Sequence, residues 1–198
     1  MVQMHSLSIA SAIKLPLPLY TSVPVGRMTD DAGHEYSVVA GLTEEQVIDL
    51  RTKSTDESDE PIQKNTSDKL RFGGSDSYEK WYAKERLPLA LISHSGALAA
   101  LAWYGPEPLP PDSEREITDR SGHWDTAGYR SYGEYRGKGL MTPFIQLTLQ
   151  VHATLFPDRK IWIETNEDNI AGRKVFGRSG FKEYGKRPSN GRILMIKE

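Results

Sequence analysis

Between residues 123 and 165 a strand, a glycine turn, an apolar helix and a second strand follow one another without interruption. "HWDTAGYRSY" (123–132) and "KIWIET" (160–165) carry the β-branched and aromatic content of strands. "TPFIQLTLQVHATLF" (142–156) brings Phe144, Ile145, Leu147, Leu149, Val151 and Leu155 into one helical segment. Pro143 is tolerated in the first turn, where no N–H bond is lost. Strands joined through such a helix require a sheet for it to lie on.

The rest of the chain supplies the other elements. Residues 1–34 carry proline and glycine with few periodic apolar positions, and read as a loosely ordered N-terminal extension before a domain spanning 35–198. "EYSVVAGL" (35–42) reads as a strand. Thr43 then caps a helix that has Glu44 and Glu45 in its first turn. "TDESDEPIQKNTSD" is polar and unpatterned, hence a loop, and "DSYEKWYAKER" (76–86) is helical with Tyr78, Trp81 and Tyr82 as core candidates. "LALIS" (89–93) and "ALAALAWY" (97–104) form a hairpin through His94-Ser95-Gly96, and residues 105–122 are a long connection. "NIAGRKVFGRS" (169–179) is a short helix ended by Gly180, and "FKEY" and "RILMIK" flank the turn "PSNG". The expected fold class is α/β (α+β), a mixed, mostly antiparallel central sheet flanked by helices.

Composition narrows the chemistry. The 198 residues contain no cysteine, which excludes disulfides, thiolate metal sites and a cysteine nucleophile. No apolar run reaches membrane-spanning length, and the N-terminal segment lacks the basic leader of a signal peptide. A cytoplasmic location is expected, with Asn65-Thr66-Ser67 a chance sequon. The net charge of −2 hides an asymmetry. Residues 1–129 hold 12 Lys and Arg against 20 Asp and Glu, whereas residues 130–198 hold 13 against 7. A basic half without aromatic-basic repeats, in a chain of pI ≈ 6.2, suits a small polyanion better than a nucleic acid.

The glycine turn "GEYRGKGLMTPF" (133–144) places two cations and exposed backbone N–H groups at the positive end of the apolar helix, an arrangement that favours phosphate. The stretch "YRSYGEYRGKGL" (129–140) resembles the fourth strand and pyrophosphate loop, R-x-x-G-x-G/A, of the GCN5-related N-acetyltransferase (GNAT) family. Arg136 fills the first position and Gly139 the fourth, while Met141 replaces the usual Gly or Ala. "IETNEDNIAGRKVFGRSGF" (163–181) resembles the family's fifth strand and following helix, with Asn169, Phe176 and Gly180-Phe181 in place. The resemblance covers roughly residues 35–198.

It implies acetyl-CoA as acyl donor, with no metal. The N–H groups of Arg136, Gly137, Lys138, Gly139, Leu140 and Met141 would cradle the pyrophosphate, and the pantetheine arm would pair with the strand edge at Arg130 and Ser131. Asn169, Arg173, Phe176 and Arg178 match further cofactor-binding positions. Each of Asn169, Arg173 and Arg178 reads equally as a helix cap or solvated charge.

The implied reaction is direct attack of an amine on the thioester in a ternary complex. It needs a base, because an alkylamine of pKa ~10 is protonated at neutral pH. Asp125 matches the place where some members carry a glutamate base, and strand alternation puts residues 125, 127, 129 and 131 on one face. Glu164 is the second candidate and His123 a titratable neighbour. Phe176 stands where many members have a tyrosine acid; Tyr129, Tyr132 and Tyr184 are possible substitutes. A thiol of pKa ~8.5 also leaves without strong assistance.

The expected acceptor is an amine of a small molecule or peptide. Acidic residues at Glu44, Glu45, Asp56, Glu57, Asp59 and Glu60, and at Glu107, Asp112, Glu114, Glu116 and Asp119, would attract a cationic amine, or would simply be solvated. No nucleic-acid or membrane partner is expected, and the chain would be a monomer or homodimer. The competing reading is a non-catalytic acyl-CoA-binding or sensing module on the same fold.

Overall fold

A computed structural model describes residues 2–6, 13–117 and 120–198. Among the described residues nine strands form one sheet: β1 (Gln3–Ser6), β2 (Val23–Thr29), β3 (Glu35–Ala40), β4 (Leu87–Ser93), β5 (Leu98–Pro106), β6 (His123–Ser131), β7 (Arg159–Thr165), β8 (Lys182–Lys186) and β9 (Ile193–Lys197). Their order across the sheet is β1-β2-β3-β4-β5-β6-β7-β9-β8. Every neighbouring pair is antiparallel except β6 and β7, which run parallel. That one parallel pair follows from the connection between them: helix α5 (Met141–Leu155) carries the chain back across the sheet.

Helices cover both faces. On one face α5 and α6 (Ile170–Arg178) bury Phe144, Ile145, Leu147 and Phe176 against Val38, Leu89, Leu91 and Ile163. On the other, α1 (Glu44–Thr55), α2 (Glu60–Asn65), α3 (Asp68–Phe72) and α4 (Ser77–Tyr82) bury Leu50, Ile62, Phe72, Tyr78 and Trp81 against Leu98, Leu101 and Trp103. A smaller cluster, Leu109, Ile117, Trp124, Trp162, Leu194 and Ile196, lies where the 105–122 connection meets the sheet.

The capping prediction at Thr43 is met by a full capping box, Thr43 Oγ1 accepting from Gln46 N while Gln46 Oε1 accepts from Thr43 N. Two expectations are corrected. The described part of the first 34 residues is not a loose extension: β1 and β2 continue the sheet beyond β3, with Val25 and Met28 in the core, while residues 1 and 7–12 lie outside the described residues. The polar stretch from 55 to 68 is not a simple loop either. It contains α2, capped by Asp59, and leads into α3; Ile62 and Phe72 anchor this pair to the sheet.

Candidate active site

The parallel ladder between β6 and β7 stops early. His123 to Thr126 pair with Arg159 to Trp162, and beyond Thr126 the strands part, although β6 runs on to Ser131 and β7 to Thr165. On its other edge β6 stays paired with β5 as far as Ser131, and Tyr132 N donates to Ala99 O. In an alternating antiparallel ladder Tyr129 and Ser131 therefore turn their N–H and C=O groups toward the gap. The sequence reading named Arg130 and Ser131 for this edge; the ladder's phase makes it Tyr129 and Ser131.

Two cavities meet at the gap and share Asn65, Thr66, Tyr129, Arg130, Asn169 and Phe176 as walls. The larger, about 390 Å³, runs over Ser131, Arg136, Gly137, Gly139, Leu140, Met141 and Arg178. The smaller, about 220 Å³, lies between α3, the end of β5 and β7, and is walled by Arg71, Trp103, Glu107, Gly128 and Glu164 among others.

The glycine turn forms the floor of the larger cavity. After a 3-10 turn at Gly133–Tyr135, Gly137 and Gly139 take φ of +76° and +71°, a region that disfavours any side chain. Among the described residues, the N–H groups of Gly137 to Met141 make no backbone hydrogen bond, and no side chain caps α5. No acidic residue sits in the first turn of α5. The positive end of a 15-residue helix thus opens into a cleft with its donors free. Lys138 lies over the Tyr135 ring, and neither Lys138 nor Arg178 makes an ion pair among the described residues. Arg136 is committed elsewhere: Nη2 binds Asp59 Oδ1 at 2.6 Å and Nε donates to Ser131 O, tying the turn to the cap of α2. Its backbone N–H is used as well, donating to Gly133 O.

A model of the acetyltransferase (GNAT) domain matches residues 47–182, more than half of the chain. The chain belongs to the GNAT family. A spermine/spermidine N(1)-acetyltransferase of Bacillus subtilis (strain 168) is 28% identical over 107 residues, 54% of this chain and 67% of that protein. Among solved structures, the GNAT domain of S. lividans PAT is similar over 91% of this chain and 98% of its own, with a TM-score of 0.61 at 17% identity. A ribosomal L7/L12 alpha-N-protein acetyltransferase in complex with coenzyme A matches over 81% and 93%, with a TM-score of 0.60 at 14% identity. The protein is an acetyl-CoA-dependent N-acetyltransferase.

On this GNAT fold the sequence-predicted residues separate into two groups. Asn169 and Phe176 stand where the two cavities join. Asn169 Oδ1 caps α6 through Gly172 N at 3.1 Å, while its Nδ2 donates to Thr165 Oγ1. Phe176 packs between Tyr129 and Phe181. Arg173 is turned away: it grips Glu183 through Nε and Nη2 and donates from Nη1 to Glu167 O, and it walls neither cavity.

Asp125 also lies elsewhere. Its carboxylate is 1% exposed, with Oδ2 2.7 Å from His152 Nε2 and Oδ1 accepting from Arg159 Nη1 at 2.8 Å. Alternation put Asp125 on the face of Ala127 and Tyr129, and α5 covers that face. Both oxygens are used in the core, which removes Asp125 as a base facing the acceptor. His123 is exposed at the far end of β6, outside both cavities. Glu164 does wall the smaller cavity, paired with Arg187 and accepting from Asn190 Nδ2.

None of the three substitute tyrosines brings its hydroxyl to the gap. Tyr129 presents its ring there, but its hydroxyl donates inward to Tyr104, which shares a hydrogen bond with Thr148. Burial, with Tyr104 beside it, pushes the Tyr129 phenol well above its ordinary range. Tyr132 is buried in the core beneath α1–α4, and Tyr184 packs against the Trp124–Trp162 cluster.

Part of the expected acidic rim is spent in pairs away from the gap. Asp59 holds Arg136, Glu57 holds Lys69, and Asp112 holds Arg187, while Asp119 falls outside the described residues. Glu107 is the exception. It walls the smaller cavity, its side chain is 46% exposed, and Arg86 Nη2 lies 3.0 Å away. The sequence signal for it was its place at the end of a strand beside a long connection.

Proposed function

We propose that acetyl-CoA lies along the larger cavity with its pyrophosphate on the Gly137–Met141 N–H groups, and that the acceptor amine enters from the smaller cavity. The observation that carries this is the gap between β6 and β7. It leaves the N–H and C=O of Tyr129 and the N–H of Ser131 free to pair with the amides of a pantetheine arm, and it joins the two cavities at one point. The free donors of the turn and the uncapped end of α5 fit a pyrophosphate, with Lys138 and Arg178 as counter-charges. Proximity of thioester and amine in the gap supplies much of the rate.

The proton of the attacking ammonium passes to Glu107 through water. Glu107 is favoured over Glu164 because its carboxylate has one partner, Arg86, and open access to solvent, while Glu164 is held by both Arg187 and Asn190. The leaving thiolate takes its proton from water, since Phe176 has none to give. The acceptor is a small-molecule or peptide amine; the Bacillus relatives are named for polyamines.

Thiol release from acetyl-CoA against a panel of amines tests this reading. Glu107→Gln should lower kcat/KM about 10²-fold, within the usual range for loss of a general base. A full rate in Glu107→Gln with loss in Glu164→Gln would move the base to Glu164.

A further inference from the structure

Two guanidiniums stand on the α3 side of the smaller cavity. At its base Asp68 is fully buried and faces two guanidiniums, Arg130 Nη1 at 2.7 Å and Arg71 Nη1 at 3.0 Å. One carboxylate between two such cations leaves a net positive charge. Burial and the neighbouring Arg130 cation both lower the affinity of Arg71 for its proton.

The donors are also incompletely used. The Arg130 side chain is 4% exposed, and its Nε has no hydrogen-bond partner among the described residues. Trp103 is 6% exposed, and its Nε1 is likewise without a partner. Trp103 stands opposite Gly128 in the β5–β6 ladder, and the missing side chain of Gly128 lets the indole and the Arg130 guanidinium lie against the strand. A Cβ there would come within 2.5 Å of Trp103 Nε1 and 2.9 Å of Arg130 Nη2. The Arg71 guanidinium lies 5.0 Å over the same indole. Three N–H-bearing groups thus converge on the wall of one cavity, and buried donors left unpaired are costly unless a ligand satisfies them. A carboxylate does so well, because two oxygens on a planar group match guanidinium forks and accept from an indole N–H.

Resting on the transferase reading above, we propose that the acceptor is a small amine that also bears a carboxylate. Its carboxylate sits in the smaller cavity on the wall formed by Arg71, Arg130 and Trp103, and its amine points to the gap. The volume of about 220 Å³ suits a free amino acid better than an extended polyamine. Glu107 and Glu164, on the same walls, receive the ammonium end.

The test is calorimetric binding to the full chain saturated with coenzyme A, so that no turnover is needed. The probes are free amino acids, each matched with its carboxamide and its decarboxylated amine, together with spermidine. At least one amino acid should bind ten times more tightly than both of its matched partners. Trp103→Phe and Arg71→Met should erase most of that preference while leaving coenzyme A affinity near wild type, measured on protein whose circular dichroism shows the native fold. Gly128→Ala, whose Cβ would push the Trp103 indole and the Arg130 guanidinium out of place, should abolish binding of the amino acid. Dipeptides with free C-termini separate a free amino acid from a peptide end, the same chemistry from a second source. Equal affinity for every acid and its amide would overturn the proposal, as would spermidine binding more tightly than every amino acid. Absence of thiol release with every amine, measured separately, would instead overturn the transferase reading and leave the carboxylate preference to be judged by binding alone.

Discussion

Asp125 shows how much a single position depends on what covers it. Strand alternation correctly gives its face, but the helix laid on that face carries His152, and Arg159 closes the other side. Breaking a buried ion pair by removing one partner costs about 3–5 kcal/mol. Asp125→Ala should lower stability to urea by roughly that amount. In the fraction that remains folded, kcat should change less than threefold; active-site titration alongside turnover separates the two effects. Gly137 gives the opposite case. At φ +76° a side chain is strained, although nothing lies within 4 Å of its Cβ position. Gly137→Ala should cost about 1–2 kcal/mol of loop geometry, read as a tenfold rise in KM for acetyl-CoA with kcat little changed.

At the scale of elements, the turn, α2 and the sheet edge are bound together by a few polar contacts. Asp59 both caps α2 and holds Arg136 in the glycine turn. Asp59→Ala should remove about 1 kcal/mol of capping and loosen the turn, raising KM for acetyl-CoA about fivefold, as steady-state kinetics will show. The β2–β3 connection is pinned by Asp30. Burial pushes its carboxyl up, but His34, the backbone N–H groups of Ala32 and His34, and Tyr36 outweigh it and hold the pKa at about 2. The folded pKa lies below the ordinary 3.8. The stabilisation is therefore complete above about pH 4 and is lost as pH falls through about 2. In Asp30→Asn this part of the acid dependence should vanish, with a lower Tm at pH 7, measured by thermal scans between pH 2 and 7.

The elements that could be read from sequence were those with strong local signals. α5, its glycine turn and the capping box at Thr43 each carry their cause within a few residues. β1 and β2 could not be read that way, because "QMHS" and "VPVGRMT" become strands only by pairing with one another and with β3. The short helices α2 and α3 were hidden for the same reason: between them only Ile62 and Phe72 are buried apolar anchors, and those count only once the sheet lies beneath. Of the candidate site, the phosphate turn and Phe176 were visible in the motifs. The Arg71–Asp68–Arg130 cluster was not, since 62 residues separate Asp68 from Arg130.

Across the whole molecule, the uneven charge and the splayed sheet serve one geometry. Arg130, Arg136 and Arg178 of the basic C-terminal half wall the larger cavity, while acidic residues of the first half such as Glu57 and Asp59 are held in ion pairs. Attraction of an anionic cofactor to such a half should weaken with salt. KM for acetyl-CoA should therefore rise severalfold between 0.05 and 0.5 M NaCl (about 14 to 4 Å Debye length), whereas Lys138→Ala should blunt that dependence.

The central claim is that the gap between β6 and β7 is where thioester and amine meet. A crystal structure of the protein with coenzyme A tests it most directly. The pyrophosphate should rest on the N–H groups of Gly137 to Met141, the pantetheine amides should pair with Tyr129 and Ser131, and the thiol should end beside Phe176. Coenzyme A bound away from the glycine turn, or with its thiol remote from Phe176, would contradict the account.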